Sequence, residues 1–302
     1  MKYENYDKVE KLFKRSLINV LNIDLWKCYL NYIRETKSGS PKFREKMAQA
    51  FDFAIEKVGI DLNSYSIYSE YVQFLKNFDA IGNFAENQKI TSIRRVYQKG
   101  IIVPMLNIET FWKDYLTYEQ NVNAMIKDKV IQDRSKDYME ARRVAKELET
   151  IIRNINRNAP AVPPTSSSEE VKQVEIWKKY IEWEKSNPLR SEDETFVIKR
   201  GEKYNLLKAF HYHNFINFFI YLLVVYAYEQ CLLCLGHHPD VWFEYASYLE
   251  ENSNRMADKG DMNHHKSLQE DVANVFERGI TGLLKENVLL HFCFADFEEV
   301  RI

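Results

Sequence analysis

The sequence predicts an all-α fold, an α-solenoid built from repeated helical hairpins. Three observations support this: glycine and proline are scarce, aromatic residues are abundant, and two helix patterns alternate along the chain. The 302 residues include only 9 glycines and 7 prolines, too few for the many turns of a sandwich or barrel. Hydrophobic residues make up 45% and charged residues 28%, so the chain can bury a sizeable core and keep a polar surface.

The first helix pattern is a stripe of aromatic residues three positions apart, often followed by an acid. Residues at this spacing lie near one face of a helix, because 3.6 residues complete a turn. The copies are Trp26, Tyr29, Tyr32 and Glu35; Tyr68, Tyr71 and Phe74; Trp112, Tyr115, Tyr118 and Glu119; Trp177, Tyr180, Trp183 and Glu184; Trp242, Tyr245 and Tyr248; and, in degenerate form, His291, Phe294, Phe297 and Glu298. Such a stripe predicts one recurring helix whose rings form the core.

The second helix pattern has a small residue at a fixed position near its end. Residues 93–100 align without a gap with residues 272–279, and residues 9–17, 50–55 and 227–232 fit the same frame. The small residues at the shared position are Ser16, Ala54, Gly100, Cys231 and Gly279. A small side chain there lets a neighbouring helix approach closely.

Alternation of the two helices distinguishes a solenoid from a helical bundle in which the stripe is ordinary core. Hairpins of this kind cannot bury their apolar faces alone, so neighbouring hairpins must stack. The stripes begin at positions 26, 68, 112, 177, 242 and 291, a wider spacing than the roughly 34 residues of a tetratricopeptide unit. We therefore expect insertions, namely an exposed, mobile Pro- and Ser-rich loop at 158–168 and a polar loop at 252–266 that holds His264 and His265.

Charge and cysteine content exclude several classes of protein. The net charge is −2, so no global basic field drives binding to nucleic acid. Arginines at 94–95, 142–143, 153 and 157 form either a local basic strip for RNA or ordinary solvated faces, and we favour solvated faces. Four cysteines in a chain of this length predict no disulfide framework and fit a reducing compartment. The N-terminus has no signal-peptide pattern, so secretion is not supported.

Candidate chemistry is sparse. Cys231 and Cys234, followed by His237 and His238, offer zinc-ligand residue types. We favour buried small hydrophobes on a helix for the two cysteines, and a turn for the two histidines. Gly-rich phosphate loops, Gly-x-Ser-x-Gly elbows and His-Glu-x-x-His pairs do not occur in the sequence. The recurring Glu119 and Glu184 indicate interhelical contacts rather than acid–base pairs, so we predict no catalytic residue, cofactor or metal.

Together, the stripe and the small-residue helix resemble HAT (half-a-tetratricopeptide) repeats. Longer stretches are similar to the large HAT subunit of cleavage stimulation factor, the suppressor of forked family. They are IDLWKCYLNYIRETK at 23–37, DRSKDYMEARRVAKE at 133–147, WKKYIEWEKSNPLR at 177–190, YEQCLLCLGHHPDVW at 228–242 and KGDMN at 259–263. The resemblance covers nearly the whole chain except one segment.

The resemblance implies a scaffold that binds proteins within the nuclear machinery of pre-mRNA 3′-end cleavage and polyadenylation. Expected partners are the other cleavage stimulation factor subunits and cleavage and polyadenylation factors, with RNA bound indirectly or weakly and no membrane. The family has two HAT blocks, placed here at 1–236 and 237–302, and it homodimerises through the C-terminal block. We expect this chain to start inside an early repeat and to hold only the beginning of that block. An RNA-associated HAT adaptor of splicing or ribosomal RNA maturation is the alternative.

The segment 201–224 departs from the family pattern. Its apolar part, 215–226, falls where a small-residue helix should begin. A membrane-spanning helix needs about 20 mostly apolar residues, but Lys208, His211, His213, Asn214 and Asn217 crowd the available window. An extra helix packed on the solenoid and the translation of a retained short intron are the other interpretations, and we favour the retained intron. Transcript reads spanning 200–225 test this hypothesis, and consistent absence of a spliced form contradicts it.

Overall fold

The computed structural model describes residues 6–186, 188–189 and 215–301, with the backbone only for 215–222. Within these residues there are twelve α-helices and no β-strand. The helices are α1 (Tyr6–Asn19), α2 (Ile23–Lys37), α3 (Phe43–Val58), α4 (Tyr65–Lys76), α5 (Asn83–Gly100), α6 (Ile108–Val122), α7 (Ala124–Ile152), α8 (Ser168–Lys185), α9 (Phe215–Leu235), α10 (Pro239–Asp258), α11 (Met262–Thr281) and α12 (Val288–Arg301). The predicted all-helical character therefore holds for the described part of the chain.

The chain divides into two compact units. The first comprises residues 1–153 and 183–223, and the second comprises 154–182 and 224–302. Helices α1 to α7 lie in the first unit, whereas most of α8, the later part of α9, and α10 to α12 lie in the second.

Helices that carry the aromatic stripe alternate with helices that carry the small residue. The stripes lie on α2, α4, α6, α8, α10 and α12, and the small residues lie on α1, α3, α5, α9 and α11. Consecutive helices pack as hairpins, with α2 on α3, α4 on α5 and α6 on α7 in the first unit and α10 on α11 in the second. This alternation of two helix types matches the sequence prediction.

Side-chain caps set where several of these helices begin. Asn22 accepts hydrogen bonds from the backbone N–H groups of Asp24 (2.9 Å) and Leu25 (3.2 Å) at the start of α2. Asn123 caps α7 in the same way, and Asp261 accepts from the His264 N–H at the start of α11. These caps satisfy N–H groups that have no partner within the helix.

A repeated ring stack joins four of the five small-residue helices, α3, α5, α9 and α11, to the stripe helix that follows. The first ring lies three residues before the small residue, and the second lies three residues after the first position of the next stripe. The stacked pairs are Phe51 on Tyr71 (4.8 Å between ring centroids), Tyr97 on Tyr115 (5.0 Å), Tyr228 on Tyr245 (4.8 Å) and Phe276 on Phe294 (5.6 Å). The same contact thus recurs at every one of these joints.

The small residue makes room for the residue just before the next stripe. A Cβ built on Gly100 would lie 2.4 Å from Cε1 of Phe111, and one built on Gly279 would lie 2.8 Å from Cδ2 of Leu290. Phe111 is buried and also contacts the rings of Tyr68 and Tyr97, so it has no space to move away. Glycine at position 100 is therefore required by close packing.

An ion pair joins the second and third hairpins at a buried acid. Arg94 on α5 donates from Nε to one carboxylate oxygen of Glu119 (2.6 Å) and from an η nitrogen to the other (2.7 Å). Glu119 is fully buried, whereas the Arg94 side chain is 28% exposed. A carboxylate in this position depends on its guanidinium partner, because an unpaired buried charge is costly.

The prediction of a polar loop at 252–266 is wrong. Helix α10 continues to Asp258 and α11 begins at Met262, so His264 and His265 lie in the first turn of α11. Ser253 is 1% exposed, and its hydroxyl donates to the His265 carbonyl (2.9 Å). These polar side chains are used to pack one helix on the next, and composition alone does not reveal that use.

The Pro- and Ser-rich stretch at 158–168 is irregular and largely exposed, as predicted, except that Ser168 begins α8. Of the atypical segment 201–224, residues 201–214 lie outside the described residues. From Phe215 the chain runs as one helix into the part of α9 that holds Tyr228 and Cys231. Among the described helices, none combines the length and the apolar run that crossing a membrane requires. The retained-intron hypothesis stays a prediction.

We expect Gly100→Ala to lower the free energy of unfolding by about 1–3 kcal/mol, because the added methyl overlaps the buried Phe111 ring. Gly39→Ala is the matched control, since no atom lies within 4 Å of a Cβ built there. Urea unfolding followed by far-ultraviolet circular dichroism measures both variants. Equal midpoints for Gly100→Ala and Gly39→Ala would contradict the proposed close packing.

We expect Glu119→Ala to destabilise the chain by about 2–3 kcal/mol, because Arg94 loses the carboxylate that balances its charge. Asp52→Ala is the control, since its pair with Arg95 is exposed and such pairs contribute about 1 kcal/mol or less. The same urea measurement applies, and Arg94→Met in the Glu119→Ala background should recover part of the loss. If Glu119→Ala and Asp52→Ala lower the free energy of unfolding by similar amounts, burial of Glu119 does not strengthen its ion pair.

Candidate functional site

The residues of the predicted repeat signature lie mainly in the core. Those that are buried are Trp26, Tyr68, Tyr71, Gly100, Trp112, Tyr115, Glu119, Trp177, Tyr180, Glu184, Trp242, Tyr245 and Gly279. Those that are half-buried are Tyr29, Tyr32, Tyr118, Trp183 and Tyr248. Their side chains therefore serve the packing of one helix on another and leave little surface for a substrate.

Burial keeps three of the signature tyrosines, Tyr71, Tyr115 and Tyr118, protonated near neutral pH. Burial raises the pKa of Tyr115 and of Tyr118 to about 12, and it raises the pKa of Tyr71 further. Gln98 donates from Nε2 to the Tyr115 hydroxyl (3.2 Å), which holds that group in place. A phenol with so high a pKa is a poor proton donor or acceptor near neutral pH.

The buried acid Glu119 interacts with an arginine of the preceding hairpin. The hydrogen bond to Glu119 raises the pKa of Arg94, so the guanidinium stays charged. Glu184, the other predicted structural acid, is 3% exposed. For Glu119, the arrangement corresponds to the interhelical contact proposed from the sequence.

The Cys and His residues near 231–238 are separated by their packing. Cys231 and Cys234 are buried on α9, and burial raises the pKa of both thiols. His238 Nε2 lies 3.2 Å from Glu170 Oε1, and His237 lies in the turn before α10. Within the part of the chain that the structure describes, no three His, Cys, Asp or Glu residues are grouped so that they could hold a metal ion.

Most arginines of the suspected basic strip have partners within the protein. Arg95 pairs with Asp52 (3.3 Å), Arg142 with Glu109 (2.5 Å) and Arg143 with Glu147 (2.7 Å). Arg157 donates to Gln230 Oε1 (3.1 Å). A guanidinium already held by a neighbouring acid contributes less to phosphate binding, so these contacts favour a structural role.

Two signature tyrosines line an open groove at the first hairpin. The groove has a volume of about 720 Å³ and lies among α1, α2 and α3. Tyr29 and Tyr32 form part of its floor, and Lys14, Lys37 and Lys46 lie along it. Sequence reasoning missed this groove because its shape depends on how far apart α1 and α3 lie. It also missed the ring three residues before each small residue, although the gap-free alignment contains that signal.

Comparison with known proteins identifies the family. The model of the suppressor of forked protein (Suf) family matches residues 1–217 and 220–302. The protein suppressor of forked of Drosophila melanogaster is 46% identical over an alignment that covers 100% of this chain and 41% of the relative. Cleavage stimulation factor subunit 77 of Arabidopsis thaliana is 33% identical, covering 100% of this chain and 36% of the relative.

A solved structure supports the fold class. The crystal structure of CstF-77 matches with a TM-score of 0.60 and 19% sequence identity, covering 92% of this chain and 48% of that one. The predicted α-solenoid of HAT-type hairpins is thereby confirmed. The chain spans less than half the length of the curated relatives described here. The match of the family model to nearly every residue shows that the chain belongs to the suppressor of forked family.

Proposed function

We propose that this chain is part of a protein-binding scaffold of the nuclear pre-mRNA 3′-end cleavage and polyadenylation machinery. The observation that supports this most is the family match along almost the whole chain. Relatives are named cleavage stimulation factor subunit 77 and, in Neurospora crassa, mRNA 3′-end-processing protein rna-14. We infer that the chain contacts other cleavage stimulation factor subunits and cleavage and polyadenylation factors.

The use of the signature residues is consistent with binding rather than catalysis. Rings and acids that recur in each repeat are occupied in joining helices, as with Tyr115 and Glu119. What an array of hairpins offers to other molecules is its long outer surface, which suits docking of proteins. Contact with RNA would then be indirect or weak, since many of the arginines are paired within the chain.

We further propose that the two HAT blocks of the family meet between 236 and 237. These positions lie in the turn between α9 and α10, where Pro239 opens the next helix. We infer from the family resemblance that homodimerisation uses the block that begins here. Dimerisation of this chain therefore depends on how much of the block is needed. Sedimentation of the purified chain measures its oligomeric state.

We expect the tagged chain to retain 3′-end processing factors from nuclear extract after treatment with nuclease, because the proposed contacts are between proteins. Mass spectrometry of the bound fraction, with and without nuclease, measures this. Gly100→Leu, which disrupts a joint between hairpins, should lose the factors, whereas Gly39→Ala should keep them. Loss of all partners on nuclease treatment would favour the alternative, an RNA-associated adaptor.

A further inference from the structure

We propose that the groove among α1, α2 and α3 binds a short segment of a partner protein that combines large apolar side chains with acidic residues. This inference rests on the proposed protein-binding function and adds to it a site and a class of ligand. Four observations carry it: the apolar lining, the loss of an ion pair that the next joint has, a changed ring stack and a net positive charge.

The lining of the groove is apolar and ring-rich. Phe13 and Leu17 of α1, Tyr29 and Ile33 of α2, and Phe53 of α3 form it. Ile18 also lines the groove and is 68% exposed, so it is available to a ligand. The volume of about 720 Å³ is enough for several side chains of a bound segment.

The next joint along the chain carries an ion pair that the joint at the groove lacks. There, α3 and α5 are bridged by the ion pair between Asp52 and Arg95 (3.3 Å). Asp52 lies two residues before Ala54, and the matching position two residues before Ser16 is Lys14. Arg95 lies five residues before Gly100, and the matching position on α3 is Gln49.

Lysine and glutamine in these positions cannot form the ion pair that bridges α3 and α5. Both Lys14 and Gln49 instead lie along the groove. The groove therefore lies at a joint where the acid and the base of the next joint are replaced by Lys14 and Gln49.

The ring stack also differs at the joint between α1 and α2. Phe51 and Tyr71 are nearly parallel, with an interplanar angle of 10° and centroids 4.8 Å apart. The corresponding pair, Phe13 and Tyr29, is tilted by 59° with centroids 5.3 Å apart, and Phe13 also contacts Tyr32. A tilted ring presents part of its face toward the groove, where an apolar ligand side chain can pack against it.

Net positive charge along the groove defines the ligand. Three lysines, Lys14, Lys37 and Lys46, line it together with one acid, Glu10. Glu10 pairs with Lys37 at 2.6 Å, and its pKa is lowered mainly by its hydrogen bond to Lys37 and in part by the charge of Lys14. One carboxylate thus faces three ammonium groups. A ligand with Asp or Glu beside its apolar side chains would complement this charge.

A protein segment suits the groove better than RNA does. Binding of nucleic acid gains affinity from many phosphate contacts, whereas this groove offers three lysines and one acid over an apolar floor. Aliphatic side chains such as Leu17 and Ile33 pack well against Leu, Ile or Phe of a peptide. This net positive charge suffices to orient such a segment and to reject a basic one.

The test is selection of a phage-displayed library of random linear peptides on the immobilised full chain. We expect enrichment of peptides that carry both large apolar and acidic residues. Binding of the enriched peptides, measured by fluorescence anisotropy, should weaken about tenfold with Lys14→Glu combined with Lys46→Glu. It should also weaken as salt is raised. Ile18→Asp, which makes the groove more polar and acidic, should weaken it as well.

Lys113→Glu is the matched control, because Lys113 is an exposed lysine on α6, outside the groove lining. It should leave peptide affinity unchanged. Circular dichroism verifies that each variant is folded, and Lys14→Gln with Lys46→Gln replaces the charge-reversed pair if folding is affected. The inference is overturned if no enriched peptide depends on Lys14 and Lys46, or if the enriched peptides are basic.

RNA is tested directly by titration with a labelled oligouridine. Binding of oligouridine that depends on Lys14 and Lys46, without peptide binding, would also overturn the inference. Failure of the groove is distinguishable from failure of the proposed function. If 3′-end processing factors persist on the wild-type chain after nuclease while no groove-dependent peptide is found, the scaffold function stands and only the groove is rejected.

Discussion

The structure depends on a ring stack that joins four of the five small-residue helices to the next stripe helix. Phe51 on Tyr71 and Tyr97 on Tyr115 illustrate it in the first unit. Aromatic pairs contribute about 0.5–1.5 kcal/mol beyond the area that they bury, and repetition multiplies that contribution. Stacking at about 5 Å requires the two helices to approach closely, which is why the position three residues later must be small, as at Gly100. Ring and glycine are thus two parts of one packing constraint.

The residues that would otherwise suggest catalysis or metal binding take part in this packing. A buried carboxylate such as Glu119 belongs to an ion pair between hairpins, and buried tyrosines have pKa values too high for proton transfer near neutral pH. Buried thiols such as Cys231 likewise have raised pKa values and fill space as small hydrophobes. What the array leaves available is its outer surface. The scaffold role proposed for this chain would use such a surface.

The groove at the first hairpin lies at a joint that departs from the same rules. Asp52 and Arg95 form an ion pair between α3 and α5, whereas Lys14 and Gln49 stand at the matching positions of α1 and α3. The Phe13 ring is also tilted out of a parallel stack. An opening at one joint is compatible with the fold because each hairpin depends mainly on its neighbours. A repeat protein can therefore convert one joint into a binding site without losing the rest of its core.

The sequence by itself determined the helix types, their alternation and the residues that fill the core, because period and side-chain size act locally. It also predicted the irregular stretch before α8, since proline and serine oppose helix formation. Only the tertiary structure decided that Ser253 and His265 pack one helix on the next, so that α10 and α11 continue through a stretch whose composition resembles a loop. It likewise decided which arginines meet acids and how widely α1 and α3 separate. These outcomes depend on contacts between residues distant in the chain, and no local pattern records such distances.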